Sequence, residues 1–211
     1  MKLFLSSTSE ALPLISKLLP KKGKGAKVLF SENASDMIPG DHFWVTNDKK
    51  AFKKIGCSVV ETDLRKLSKA EFTKLLKASD IIHFCGGSTA YLISLLQKNG
   101  FGTLISKSVQ QGKIIYSGTS AGSMISADSL KLITLDKDKD ERKFIRQMKS
   151  SNGLGLVNFL LVPHCNQADF IGYAQSLVGH LPKNPQSLIL IHDKQAVAVV
   201  DGVNVILSRT T

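Results

Sequence analysis

The sequence predicts an α/β fold, a mostly parallel sheet with helices on both faces and antiparallel strands at the C-terminus. Short β-branched or apolar runs alternate with segments of helical spacing along most of the 211 residues, and such alternation means parallel strands joined by crossover helices. The last apolar runs have no helical segment between them, and Asp201-Gly202 separates the final two as a hairpin turn would. With 43% hydrophobic and 21% charged residues, the composition is that of a globular chain able to bury a core. No linker or internal repeat breaks the pattern, so one domain over 1–211 is expected.

Taken in order, the expected strands begin with the short apolar runs Lys2–Ser6 and Lys27–Ser31, then the β-branched Ser58–Thr62. Asp80–Cys85, Lys113–Ser117 and Phe159–Pro163 follow, then Ser187–His192, Gln195–Val200 and Asn204–Leu207. Helical patterns lie between them. Phe43–Ile55 mixes apolar residues with lysine, Lys69–Lys77 places Phe72, Leu75 and Leu76 on one face, and Thr89–Gln97 carries Leu92, Ile93, Leu95 and Leu96. Leu104–Gln111 and Phe170–Leu181 fit as well. The mixed-charge run Lys137–Arg142 reads as a solvated loop or helix start, followed by a short apolar face of Phe144, Ile145 and Met148.

Charge and cysteine content narrow the function classes. Lysine plus arginine number 28 and aspartate plus glutamate 17, a net charge of +11. Lys21, Lys22, Lys24 and Lys27 cluster in one loop and the other cations are scattered. With 7% aromatic residues and no aromatic–glycine signature, the charge reads as solvated surface and no nucleic-acid partner is expected. No apolar run approaches the ~20 residues of a membrane span, and the apolar start is cut by Ser6–Glu10, a poor signal peptide. Cys57, Cys85 and Cys165 are far apart, which fits neither a disulfide scaffold nor a zinc site and suits a reducing cytoplasm.

Three segments could carry chemistry. Gly118-Thr119-Ser120-Ala121-Gly122 follows an apolar run and precedes a helix-compatible one, the context of a nucleophile elbow. A sharp strand-to-helix turn would expose the Ser120 hydroxyl above the strand ends, with helix amides behind it. A plain turn with serine as helix cap has the same spacing. Gly86-Gly87 ends another strand before a helix starting after Ser88 or Thr89, and glycine there lets backbone amides face a cleft. In an acyl-transfer site one oxyanion donor would be an amide of this turn, the other that of Ala121. Finally, Leu154–Phe170 runs an apolar strand into Pro163-His164, placing an imidazole at a strand end on the same sheet edge as Ser120. A third residue should orient it. Asp136, between Ser120 and His164 in the chain, is the first choice, with Asp128 and Asp193 as alternatives.

The GGST turn at Gly86–Thr89, the GTSAGS elbow at Gly118–Ser123 and the LGLVNFLLVPH segment ending at His164 together resemble the peptidase E and cyanophycinase family of serine peptidases. The resemblance covers nearly the whole chain and looks closest to the small peptidase E-like members. It implies a class I glutamine amidotransferase-like α/β fold, with Ser120 as nucleophile, His164 as base, and Gly87 and Ala121 as oxyanion donors. It also implies substrate contacts at Gly86 and Ser88, the latter standing where the family often has asparagine. The family's acid lies about fifteen residues past the serine, against sixteen for Asp136, which leaves a Ser–His dyad open. No arginine is evident that would read a substrate aspartate, so the aspartyl specificity of peptidase E is not carried over.

The expected function is therefore a serine peptidase acting on short peptides, dipeptidase-like, with no metal or organic cofactor. The expected partner is the peptide substrate, with a homodimer admitted and no nucleic acid or membrane. An esterase of the α/β-hydrolase type and a catalytically silent amidotransferase-like binding domain are the competing readings.

Overall fold

The first strand, β1 (Lys2–Ser6), is buried along all but its first residue, and this sets the architecture. A strand apolar on both faces must lie inside a sheet covered on both sides. The computed structural model describes residues 1–135 and 139–210, without the side chains of Lys21, Lys139 and Asp140. Its main sheet adds β2 (Lys27–Ser31), β3 (Ser58–Thr62), β4 (Ile81–Phe84), β5 (Ile115–Thr119), β8 (Gln195–Val200) and β9 (Val203–Ser208). The strand order is β3-β2-β4-β5-β1-β8-β9. The first five strands in that order are parallel, and β8 and β9 join antiparallel to β1 and to each other.

The crossover helices are α1 (Phe43–Lys54), α2 (Lys69–Lys77), α3 (Thr89–Asn99) and α4 (Phe101–Gln110). Local sequence fixes the starts of α2 and α3. Ser68 and Glu71 form a reciprocal capping box at the start of α2. Ser88 caps α3 by accepting from the Tyr91 amide, and Gly100, in the left-handed region, ends that helix and admits α4. Phe72 stacks on Phe101 at 4.1 Å and locks α2 to α4. Beyond β5 lie the short α5 (Ala121–Met124) and α6 (Lys139–Ile145). The Phe144 that the sequence placed on a short apolar face is buried edge-on against Tyr91. No described helix is long and apolar enough to cross a membrane.

One expectation is corrected. Ser187–His192 does not belong to an antiparallel C-terminal sheet. Its strand, β7 (Ser187–Leu190), pairs parallel with β6 (Phe159–Val162) in a separate two-stranded sheet. The cause is α7 (Ala168–His180), which lies between them in the chain. A helical crossover returns a strand parallel to its predecessor. Only β8 and β9 make the antiparallel end, through Asp201-Gly202 with φ of 48° and 87°, the two positive values of a type I′ hairpin turn.

Candidate active site

Strand β5 runs into Ser120 and turns at once into α5. Ser120 takes φ 48°, ψ −114°, a conformation that a side chain adopts only under constraint. The constraints are visible. Its amide donates to the Ser6 carbonyl at 3.0 Å, and Gly122 brings α5 so close to β4 that an added Cβ would lie 2.0 Å from the Phe84 oxygen. The glycine of the elbow is a packing requirement.

His164 follows β6 and receives Ser120 Oγ at 3.0 Å on its Nε2. Its Nδ1 faces Asp193 Oδ1 at 2.8 Å. A carboxylate on Nδ1 places the ring proton there and leaves the Nε2 lone pair for the serine hydroxyl. Asp193 also accepts from Ser7 Oγ at 3.1 Å and from Gln167 Nε2 at 2.6 Å, with Asn166 Nδ2 at 3.4 Å. Burial pushes its carboxyl up, but the hydrogen bonds from Gln167, His164 and Ser7 outweigh this and hold it below the usual value. The His164 ring is braced by Phe170, 4.6 Å away.

Asp136, the first choice for the acid, lies outside the described residues. The seat on His164 Nδ1 is filled by Asp193, so the order along the chain is serine, histidine, aspartate. Asp128 is not at this site; its amide bonds to the Val157 carbonyl. His164 also does not share the main sheet with Ser120, since β6 belongs to the small sheet. Ser7 bridges the two. It follows β1, accepts from the His164 amide at 2.8 Å and donates to Asp193.

The glycine turn after β4 faces the serine from the other side. An added Cβ on Gly86 would lie 3.2 Å from Ser120 Cβ. Gly87 has φ 143°, and a Cβ there would fall 2.2 Å from the Ala34 oxygen. The turn is held from behind, because Ser35 Oγ and Trp44 Nε1 both donate to the Gly86 carbonyl, at 2.8 and 3.2 Å. The amides of Gly87 and Ala121 have no hydrogen-bond partner among the described residues, as donors awaiting an oxyanion would. Ser88 is occupied as the α3 cap. Cys165, beside His164, points its thiol at the Val162 carbonyl, and burial raises its pKa; it is a spectator. Cys85 is fully buried.

Two cavities meet at Ser120, Gly87, His164 and Phe170. One of about 480 Å³ extends over Ile38, Phe43, Trp44 and Asp48. The other, about 320 Å³, extends past Thr89, Met124 and Tyr173. A larger hollow of about 700 Å³ beside Asp128 and Gln186 has no nucleophile–base pair. Sequence reasoning missed Ser7, Trp44, Asp48 and Gln167 as site residues. Ser7 alone carried a usable signal, a hydroxyl just past the C-terminal end of a strand.

Comparison with known proteins gives the family. The family model described as Peptidase family S51 matches residues 3–207. The uncharacterized peptidase Lin0382 of Listeria innocua is 30% identical over 204 residues, covering 92% of this chain and 94% of its own. The uncharacterized peptidase PM1590 of Pasteurella multocida is 32% identical over 168 residues, 78% and 77% of the two chains. A crystal structure of a Listeria monocytogenes EGD-e protein, provisionally named a peptidase E, superposes with a TM-score of 0.87 at 27% identity, covering 99% of this chain and 98% of that one. The match over nearly the full length places the chain in peptidase family S51, a family of serine peptidases.

Proposed function

We propose that this serine peptidase is a cytoplasmic, dipeptidase-like enzyme that hydrolyses short peptides through an acyl-enzyme on Ser120. The observation that carries the proposal is the relay of Ser120 Oγ to His164 Nε2 at 3.0 Å and His164 Nδ1 to Asp193 at 2.8 Å, opposite two unpartnered amides. As Ser120 Oγ attacks the scissile carbonyl carbon, its proton passes to His164 Nε2, and the Gly87 and Ala121 amides hold the oxyanion. The C–N bond breaks and His164 gives its proton to the leaving amine. Water then enters, loses a proton to His164 and attacks the ester. The acid departs and the proton returns to Ser120 Oγ. Asp193 holds the imidazole in the productive tautomer and offsets its charge in the transition state.

The chemistry asks for a peptide and water, with no metal or organic cofactor and no role for nucleic acid or membrane. Two cavities flanking the serine suit a substrate of few residues, one on either side of the scissile bond. The test is a serine-directed fluorophosphonate probe together with a dipeptide panel, applied to wild type and Ser120→Ala. Labelling and turnover in wild type, both lost in the variant, are expected. A wild type that resists the probe and cleaves nothing is a silent binding domain. Sedimentation of the same sample decides between a monomer and a homodimer.

A further inference from the structure

Within the larger cavity one carboxylate is unlike the others. Asp48, on α1, is 1% exposed. Its Oδ2 accepts from Thr119 Oγ1, the residue before the nucleophile, and faces His83 Nε2 at 3.2 Å. His83 is itself fully buried, with Ser117 Oγ 2.9 Å from its Nδ1. That network is satisfied by a neutral imidazole, Ser117 donating to Nδ1 and Nε2–H donating to Asp48. Asp48 Oδ1, by contrast, has no hydrogen-bond partner among the described residues. No fully enclosed polar side-chain atom in the described structure lacks a partner, so Oδ1 reaches the cavity that Asp48 lines. A buried carboxylate oxygen open only to a cleft is short of donors and favours a cation there.

The rest of the cavity agrees with this. Among its described lining residues none is lysine or arginine, while Glu10 stands with Asp48 and Asp193. Asp193 is saturated by His164, Ser7 and Gln167. Arg209 approaches from outside, spending a guanidinium N–H on the Glu10 carbonyl at 3.2 Å, and does not line the cavity. Phe43 and Trp44 on α1, with Ile38 and Phe170, make an apolar wall, Phe43 being 62% exposed and Phe170 40% exposed.

We infer that this cavity holds the first residue of the substrate, with Asp48 Oδ1 accepting from its free ammonium and the Phe43–Trp44–Phe170 wall taking an uncharged, apolar side chain. The inference rests on the serine-peptidase reading of Ser120 and names its substrate class. An α-ammonium lies two bonds from the scissile carbonyl carbon, so its reader must line the same cavity as the nucleophile; Asp48 does, and it is hydrogen-bonded to Thr119, the residue before Ser120. An acidic first residue would put a second anion among Asp48, Glu10 and Asp193 with no cation to answer it.

The test compares Phe-Ala, Leu-Ala, Asp-Ala and N-acetyl-Phe-Ala. Wild type should favour Phe-Ala and Leu-Ala over Asp-Ala by about 100-fold or more in kcat/KM, and over the acetylated peptide by at least about 10-fold. Asp48→Asn should raise KM for Phe-Ala about 10-fold or more and leave the acetylated peptide nearly unchanged, closing the gap between them. Should Asp48→Asn misfold, Phe43→Ala, at an exposed position, should lower kcat/KM for Phe-Ala far more than for Gly-Ala. Equal losses on free and acetylated peptides would make Asp48 a support behind Ser120 and overturn the inference, as would a preference for Asp-Ala. Both of those outcomes leave the peptidase reading standing. Absence of probe labelling and of all hydrolysis would remove that reading and this inference together.

Discussion

Ser120 occupies a backbone conformation that costs of order 1–3 kcal/mol, and the hydrogen bond from its amide to Ser6 and the close approach of Gly122 hold it there. Its hydroxyl faces His164 and the two cavities rather than the core. Ser120→Ala should therefore abolish turnover by several orders of magnitude while changing stability by at most about 1 kcal/mol. Ser120→Gly should raise the melting temperature, since glycine accepts a positive φ without strain. Calorimetry beside the dipeptide assay reads both. Asp193 gives a second prediction at this scale. Asp193→Asn reverses the donor sense at His164 Nδ1, and turnover should fall by about 10³–10⁴-fold with the fold intact. The Asp193 carboxyl is held below its ordinary value in the folded chain. Its contribution to stability is thus complete above the unfolded value of about 3.9 and is lost as pH falls through the folded value. In denaturant titrations the stability gap between wild type and Asp193→Asn should be constant above about pH 5 and close below about pH 4. A gap that widens in acid would assign the carboxyl the opposite shift.

At the scale of elements, the oxyanion turn depends on a neighbour that makes no contact with its amides. Trp44 on α1 donates its indole N–H to both Ser35 Oγ and the Gly86 carbonyl, at 2.9 and 3.2 Å. Trp44→Phe keeps the wall and removes the donor, so kcat should fall about 10-fold with little change in KM, the signature of lost transition-state stabilisation. A rise in KM alone would make Trp44 a substrate wall only. Elements also explain what the sequence made legible. The elbow and the glycine turn could be read because each packs its signal into a few consecutive residues after an apolar run. His164 could be read for the same reason. Asp193 could be named only as an alternative for the third residue, because it reaches the imidazole from the loop after β7, 29 positions away, and carries no pattern of its own. Asp136 stands first by its place between Ser120 and His164 in the chain, and it lies outside the described residues. Asp48 was hidden in a lysine-bearing amphipathic helix, where its burial depends on the Thr119 and His83 partners supplied by other strands.

At the scale of the molecule, the nucleophile and the base stand on different sheets. Ser120 extends from the seven-stranded sheet and His164 from the two-stranded one, so their 3.0 Å approach is a relation between two bodies of structure. The link nearest the chemistry is Ser7, fully buried at the end of β1. Its amide bonds to the Gln195 carbonyl, tying it to the start of β8. Its hydroxyl accepts from the His164 amide and donates to Asp193, and the neighbouring Thr8 Oγ1 donates to the Asp193 carbonyl at 2.8 Å. His164 needs such support, for its own φ is 61° and a non-glycine residue there persists only when its surroundings fix it. Ser7→Ala leaves the His164 amide without its acceptor and the Asp193 carboxylate one donor short. The loss of a buried partner should cost about 1–3 kcal/mol of stability. Turnover should fall about 10- to 100-fold, because misplacing a base by a fraction of an ångström slows proton transfer without removing it. KM should change little, since the hydroxyl is engaged with His164 and Asp193 and has no lone group to offer the substrate. Ser7→Thr, which restores the hydroxyl, should recover most of the rate if the β-methyl fits. The decisive comparison is fluorophosphonate labelling rate against melting temperature across the three proteins. If Ser7→Ala melts early yet labels at the wild-type rate, the two sheets are aligned by the core alone and Ser7 is only a structural hydroxyl.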